Sequence, residues 1–446
     1  MTMVTPSGII IAAPRSGAGK TTVTLGLLRA LSRRGACVQP FKCGPDYIDL
    51  AFHTAAARRT SYNLDSWAMS APQLLGLVRD VAADADIAIV EGVMGLFDGA
   101  SNPGRAGSGS AADLAALTGW PVVLVLDVSG QTETAAAVAL GCARFRDDVH
   151  VAGVILNRVA SERHRALIEP AFATIGIRVL GALARDAQLT FPERHLGLVQ
   201  AQEITALEAH LERLAASVSG AVDLEALLGL ANPIRSTDLA AQTSGLGIKP
   251  PGQRIALAAD AAFSFSYPHL LRHWRAQGAE AVPFSPLNDE APDPAADAVW
   301  LPGGYPESYA GRLASAQSFL DALRAMALRG VPIHGECGGY MTLGAGLEDA
   351  HGVRHAMAGL LSLETSFARR RLHLGYRQAT LLADCSLGRR GAVVHGHEFH
   401  YATILSEADD PLIACRDASG GVVAERGARR GSVTGSFLHV LSGEGA

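Results

Sequence analysis

Apolar positions in the first half of this chain come as short unbroken runs, at 8–13, 37–41, 87–91, 122–127, 151–157 and 178–183, with longer helical stretches between them. Runs of that length, apolar on both faces, read as buried strands of a parallel sheet joined by crossover helices. The stretch 20–34 carries Leu25, Leu28 and Leu31 on one helical face and stops at Gly35, so it is predicted as the helix after the first strand. From 232 to 252 the pattern fails and Pro, Gly, Ser, Thr and Gln take over. Strand-like runs restart at 255–259, 281–284, 298–301 and 331–334, followed by a tail predicted to be more irregular. The expectation is two α/β domains, 1–235 and 253–446, joined by a linker at 236–252.

A chain of 446 residues is too long for one core and suits two. The apolar fraction of 48% is that of a globular protein, and a net charge of -5 gives no reason to expect nucleic acid or an anionic membrane as partner. No apolar run approaches a membrane span, and the first strand begins too early to leave room for a signal peptide. The six cysteines, Cys37, Cys43, Cys142, Cys337, Cys385 and Cys415, form no C-x-x-C pair. A cytoplasmic protein without zinc or a disulfide framework is expected.

Two segments carry chemistry. The first, Ala13-Pro14-Arg15-Ser16-Gly17-Ala18-Gly19-Lys20-Thr21-Thr22, sits between a strand and a helix as a variant P-loop, with Pro14 where the strict pattern has glycine. Such loops turn backbone N–H groups and a helix N-terminus onto phosphate oxygens, while the lysine reaches the outer phosphates and the next hydroxyl helps hold Mg²⁺. Ser16, Gly17, Gly19, Lys20, Thr21 and Thr22 are therefore assigned to ATP. Glu91 ends an apolar strand where the second Mg²⁺ position belongs, with Thr21 as its partner, and Asp98 follows in the same glycine-rich segment. The carboxylates of Phe41-Lys42-Cys43-Gly44-Pro45-Asp46-Tyr47-Ile48-Asp49, Asp46 and Asp49, fall at the C-terminal edge of the sheet, where open α/β folds bind ligands.

The second segment is Gly335-Glu336-Cys337-Gly338-Gly339, a cysteine at a strand–turn–helix elbow whose small neighbours tolerate a sharp turn. A thiol nucleophile needs a base and N–H donors for its oxyanion. Gly303 and Gly304, in Leu301-Pro302-Gly303-Gly304-Tyr305-Pro306-Glu307, are the expected oxyanion loop, and His439 the expected base. With 15 histidines in the chain, His395, His397 and His400 around Glu398 form the competing cluster. It lacks a matching cysteine or carboxylate pattern and is not read as a metal site.

These motifs, with Leu374-Gly375-Tyr376-Arg377 and Gly396-His397-Glu398-Phe399-His400-Tyr401, closely resemble the cobyrinic acid and hydrogenobyrinic acid a,c-diamide synthase family over nearly the whole chain. The resemblance implies a P-loop, dethiobiotin-synthetase-like parallel-sheet domain followed by a class I glutamine amidotransferase-like α/β domain. It implies ATP, Mg²⁺, glutamine and hydrogenobyrinic or cobyrinic acid as partners, an acyl phosphate on the ring's a and c acetates, and ammonia released at Cys337. On matching positions it gives Asp46, Tyr47, Glu91 and Asp98 to the activation site, and Cys337 with His439 to the glutaminase. A ring rich in carboxylates calls for cationic side chains, for which Arg15, Arg58 and Arg59 are candidates. A homodimer is left open.

Two positions depart from the pattern. Leu441 stands where many class I glutaminases have a glutamate, and His269 where an asparagine is expected. The rival readings are an amidotransferase for other corrin side chains or for a nickel tetrapyrrole, and a P-loop switch ATPase. The last leaves the Cys337 elbow unexplained.

Overall fold

The computed structural model describes residues 5–187, 193–194, 197–198, 206–235 and 247–444. The chain divides into two compact units, Met1–Thr243 and Ser244–Ala446. Of the expected linker, 236–246 lies outside the described residues. Ile248 is fully buried, and a Cβ on Gly247 would lie 2.1 Å from Gly443 O, so the end of that segment belongs to the body of the second unit.

The first unit is built on β1 (Ser7–Ala12), α1 (Lys20–Arg33), β2 (Val38–Cys43), α2 (Ile48–Ala57), β3 (Tyr62–Leu64), β4 (Ile87–Glu91), β5 (Val122–Asp127), β6 (Val151–Val159) and β7 (Val179–Ala184). The strands run parallel in the order β3-β2-β4-β1-β5-β6-β7. Ile9, Ile10 and Ile11 are all buried, as a strand covered on both faces requires. Each such side chain contributes about 1.5–3 kcal/mol by leaving water. β1 lies between β4 and β5, so the C-terminal ends of β1, β2 and β4 adjoin at one edge. β3 escapes the apolar pattern because three residues are too few to show a period. β2 runs on to Cys43, past its expected end at 41.

The second unit holds a six-stranded sheet in the order Glu280–Phe284, Arg254–Ala258, Ala298–Leu301, Ile333–Glu336, Val433–Ser436, Ala428–Arg430. All neighbours are parallel except the last pair. The tail expected to be irregular instead forms an antiparallel sheet, Ile413–Asp417, His373–Leu381, Val393–His400 and Leu438–Glu444. Its strands hid from the hydrophobic pattern because histidine, glycine and arginine occupy many of their buried positions.

Candidate functional site

In the first unit, the chain leaves β1 and turns into α1 through Gly17 and Gly19, at φ 73° and 95°, a region where glycine alone is at ease. Gly19 is constrained twice: a Cβ there would lie 2.1 Å from Asn157 Nδ2, which donates to Ala18 O at 2.9 Å. Gly19 caps α1 with no side-chain bond, so a phosphate oxygen suits the helix N-terminus. Ser16 is exposed and Thr22 half-buried. Lys20 is buried, its Nζ donating to Met94 O and lying 3.4 Å from Arg15 O. Burial lowers its ammonium to about 8, against the opposing pull of Glu91.

Glu91, at the end of β4, gathers the site. Thr21 Oγ1 donates to its Oε1 at 2.6 Å, Lys42 Nζ reaches the same oxygen at 2.9 Å, and His53 Nε2 meets Oε2 at 2.6 Å. Lys42 also pairs with Asp49. Burial would push Glu91 up, but Lys42, His53 and Thr21 outweigh it and hold the carboxyl well below the usual range. Burial would lower Lys42, yet Asp49 and Glu91 keep its ammonium far above normal. Burial pushes the Asp49 carboxyl up. A hydroxyl beside a charged carboxylate is a donor set suited to a hard cation such as Mg²⁺.

Asp46 Oδ1 accepts from Ile48 N at 2.8 Å and Asp49 N at 3.2 Å, shaping the entry to α2, and Tyr47 beside it is buried. Asp98 is exposed and accepts from Gly95 N at 2.8 Å. The sequence reading passed over Lys42 and His53. Lys42 stands inside the segment singled out at 41–49, and a lysine near the end of a buried strand was a signal. His53 lies on α2 with no local sign that it would meet Glu91. Arg15 pairs with Asp127 and Arg59 with Asp84, which leaves Arg58, exposed at the end of α2, among those three arginines.

In the second unit, Cys337 sits between the strand Ile333–Glu336 and the helix Gly338–Leu343 at φ 45°, ψ -100°. That conformation is strained for any side chain and survives only where its surroundings impose it. They do: a Cβ on Gly339 would lie 2.0 Å from Leu301 O, and Cys337 N donates to Ser436 O at 2.8 Å. Cys337 Sγ lies 3.6 Å from Phe399 O. Burial, and then the Glu307 carboxylate, raise the thiol well above its ordinary value, so thiolate formation needs a base.

His439 is fully buried, its ring stacked 5.1 Å from His397 at 15°. His397 in turn meets Tyr267 OH at 2.6 Å. Burial, then His397 and His400, push His439 well below its usual value, so it stands as a neutral imidazole. The Gly303–Gly304 loop bridges the two groups. A Cβ on Gly303 would lie 2.3 Å from His439 Cε1, and one on Gly338 would lie 2.9 Å from Gly304 N.

The two departures from the family pattern meet in one bond. Pairing passes from His395↔Ser442 to Gly396↔Val440, leaving Leu441 as the extra residue of a bulge. Its carbonyl accepts from His269 Nε2 at 3.0 Å. One residue earlier, Val440 N donates to Glu336 Oε1 at 3.1 Å, tying the nucleophile's strand to the strand of His439. Burial raises Glu336 to about 8.

A parallel-sheet P-loop unit followed by an α/β unit with a cysteine elbow defines the glutamine amidotransferases that carry their own nucleotide-binding domain. Comparison with known proteins agrees. Residues 254–446 match the CobB/CobQ-like glutamine amidotransferase domain, and residues 9–199 the CobQ/CobB/MinD/ParA nucleotide binding domain. The hydrogenobyrinate a,c-diamide synthase of Rhodobacter capsulatus is 59% identical over 98% of this chain and 99% of its own length. Those of Mesorhizobium japonicum and Agrobacterium fabrum are 55% and 53% identical over the same shares. The chain belongs to the a,c-diamide synthase family of cobalamin biosynthesis, glutamine-dependent ligases that form carbon–nitrogen bonds. Among the described residues no helix is long and apolar enough to cross a membrane.

Proposed function

We propose that this chain uses ATP and glutamine to convert the a and c acetate side chains of a corrin ring, hydrogenobyrinic acid or its cobalt counterpart cobyrinic acid, into amides. The observation that carries this reading is the strained Cys337 elbow, buried beside the glycine loop that also abuts His439, in a chain that has a P-loop.

His439 takes the thiol proton as Cys337 attacks the glutamine amide carbon, and it returns that proton to the departing ammonia. Water then hydrolyses the thioester to glutamate. N–H groups of the Gly303–Gly304 loop receive the oxyanion. In the first unit, Ser16, Gly17, Gly19, Lys20 and Thr22 hold the ATP phosphates. Thr21 and Glu91 would hold Mg²⁺, which neutralises phosphate charge when bound. Asp46, Tyr47 and Asp98 line the activation site, and Lys42 holds the Glu91 carboxylate charged and in place. A ring carboxylate attacks the γ-phosphorus, ADP leaves, and an acyl phosphate remains. Ammonia attacks its carbonyl carbon and expels phosphate, where a bare carboxylate would have to lose oxide.

The test is ADP release with ATP, Mg²⁺ and glutamine on hydrogenobyrinic acid, on cobyrinic acid and without a ring, with product masses. Two amide substitutions on either ring are expected. No turnover on both rings, with glutamine hydrolysis intact, would move the reading to another tetrapyrrole, such as a nickel-containing ring.

A further inference from the structure

A strand sends alternate residues to opposite faces, so the run His395, His397, Glu398, His400 is not one cluster. His397 stacks on His439, whereas Glu398 and His400 share the other face. His373, registered opposite His400 on the neighbouring strand, joins them there. One ligand atom from each of His373, Glu398 and His400 lies within 4.8 Å of the others. His400 Nε2 is 2.9 Å and His373 Nδ1 3.6 Å from Glu398 Oε1. The two imidazoles stack with centroids 4.6 Å apart and planes at 3°, so the His373 ring, 35% exposed, has to turn for both lone pairs to meet one ion.

The outer atoms decide what the inner ones can be. His400 Nδ1 lies 3.1 Å from Ala402 O. A carbonyl oxygen only accepts, so Nδ1 carries the proton. In the neutral ring, the Nε2 lone pair then faces a carboxylate oxygen, two acceptors in contact. A positive charge belongs between them, either a second proton or a metal ion.

Three features favour the metal. The separations of 2.9 and 3.6 Å straddle the ~3.3 Å ligand–ligand edge of a tetrahedron with bonds of about 2.0–2.1 Å. Each buried ligand is held from its other end, His400 by the Ala402 carbonyl and Glu398 Oε2 by Arg377 Nε at 2.7 Å, as ligating groups characteristically are. The Glu398 and His400 side chains are 3% and 4% exposed, while His373 is 35% exposed and gives a way in from solvent.

We propose that His373, Glu398 and His400 form a three-ligand site for a divalent transition-metal ion of the zinc class. Two imidazoles and one carboxylate are the donor set such ions take, and His373 leaves the remaining coordination position toward solvent. Phe399 lies between two of the ligands, and its carbonyl is the group 3.6 Å from Cys337 Sγ. A bound ion therefore pins the backbone segment that lines the nucleophile.

The experiment titrates Co²⁺, then Zn²⁺, into metal-free full-length protein without ATP, followed by visible absorption and calorimetry. One Co²⁺ per chain is expected, with the spectrum of nitrogen and oxygen ligands and displacement by Zn²⁺. His373→Gln, at a half-exposed position that leaves the buried pair intact, should weaken binding by more than the roughly 10–100-fold that loss of an outer partner costs. His351→Gln, at an exposed histidine elsewhere, should leave binding unchanged. Absence of a stoichiometric ion, equal affinity in His373→Gln, or a sulfur-to-cobalt charge-transfer band would each overturn the assignment.

Discussion

Thr21 and Glu91 stand 70 residues apart in sequence, yet the threonine hydroxyl donates to the carboxylate across 2.6 Å. The bond joins the phosphate loop to the end of β4, and the same carboxylate oxygen receives Lys42. Position 21 can thus be changed while Glu91 stays held by Lys42 and His53. Thr21→Ala should lower ATP-dependent ring amidation by about 10²–10³-fold, the scale of losing one preorganised electrostatic contact. Thr21→Ser should restore it. Glutamine hydrolysis, followed separately as glutamate release, should be unaffected in both variants; equal loss of the two activities would remove Thr21 from the nucleotide site.

Lys20 gives a prediction for pH. Burial lowers its ammonium to about 8, so near that pH about half of the free protein carries a neutral amine. ATP phosphates favour the charged form, so binding at pH 8 should take up roughly half a proton. ATP affinity should also weaken as pH rises through about 8. Calorimetry in buffers of different ionisation enthalpy reads the uptake. Zero uptake would mean that the amine stays charged without nucleotide.

Gly303 tests the second site by geometry alone. Its Cβ would lie 2.3 Å from His439 Cε1, and His439 is fully buried. Gly303→Ala should displace the imidazole and abolish most glutamine hydrolysis. Ring amidation with ammonium salts in place of glutamine should persist, which separates a lesion at His439 from global unfolding. Full glutaminase activity in this variant would detach His439 from the chemistry.

Two buried acids of the second unit, Glu336 and Glu425, are raised by burial to about 8 from an ordinary 4.5. An acid so shifted holds its proton in the folded state after the unfolded chain has lost it. Its contribution is full below about 4.5 and is lost as pH rises toward 8. Buried His269 and His334, lowered to about 4 and 3, act with the opposite sign but only below 6.5. Between pH 6.5 and 8 those histidines no longer contribute, and the two carboxyls should make stability of this unit fall with rising pH. Glu336→Gln should remove up to about 1.4 kcal/mol per pH unit from that slope, as read by denaturant melts. An unchanged slope would show that Glu336 is already ionised in the fold.

How far these sites were legible varies with the kind of information each needs. Buried parallel strands announce themselves as apolar runs, so β4, β5 and the strand Ala298–Leu301 fell where expected; Glu91 ends β4, Cys337 follows the strand Ile333–Glu336, and Lys20 and Thr21 open α1. The antiparallel sheet did not, because buried His395, His397 and Arg377 occupy places where a hydrophobic pattern looks for valine. His395 and His397 take one face of their strand and Glu398 and His400 the other, so the four do not form the single cluster their closeness in sequence suggests. His53 on Glu91 and His269 on the Leu441 carbonyl are contacts across 38 and 172 residues that no local pattern encodes. The bulge at Leu441 makes the second intelligible. Where a glutamate was expected beside His439, the chain turns a backbone carbonyl to a buried imidazole.

The central claim is a division of labour, with nitrogen released at Cys337 and carboxylate activated at the P-loop. The most direct measurement compares ring amidation by Cys337→Ala with glutamine and with free ammonia, both with ATP and Mg²⁺. No product with glutamine, and doubly amidated ring with ammonia at a rate close to that of the unaltered protein, is the expected result. Loss of activity with both nitrogen sources, in a variant that still melts cooperatively, would contradict the account.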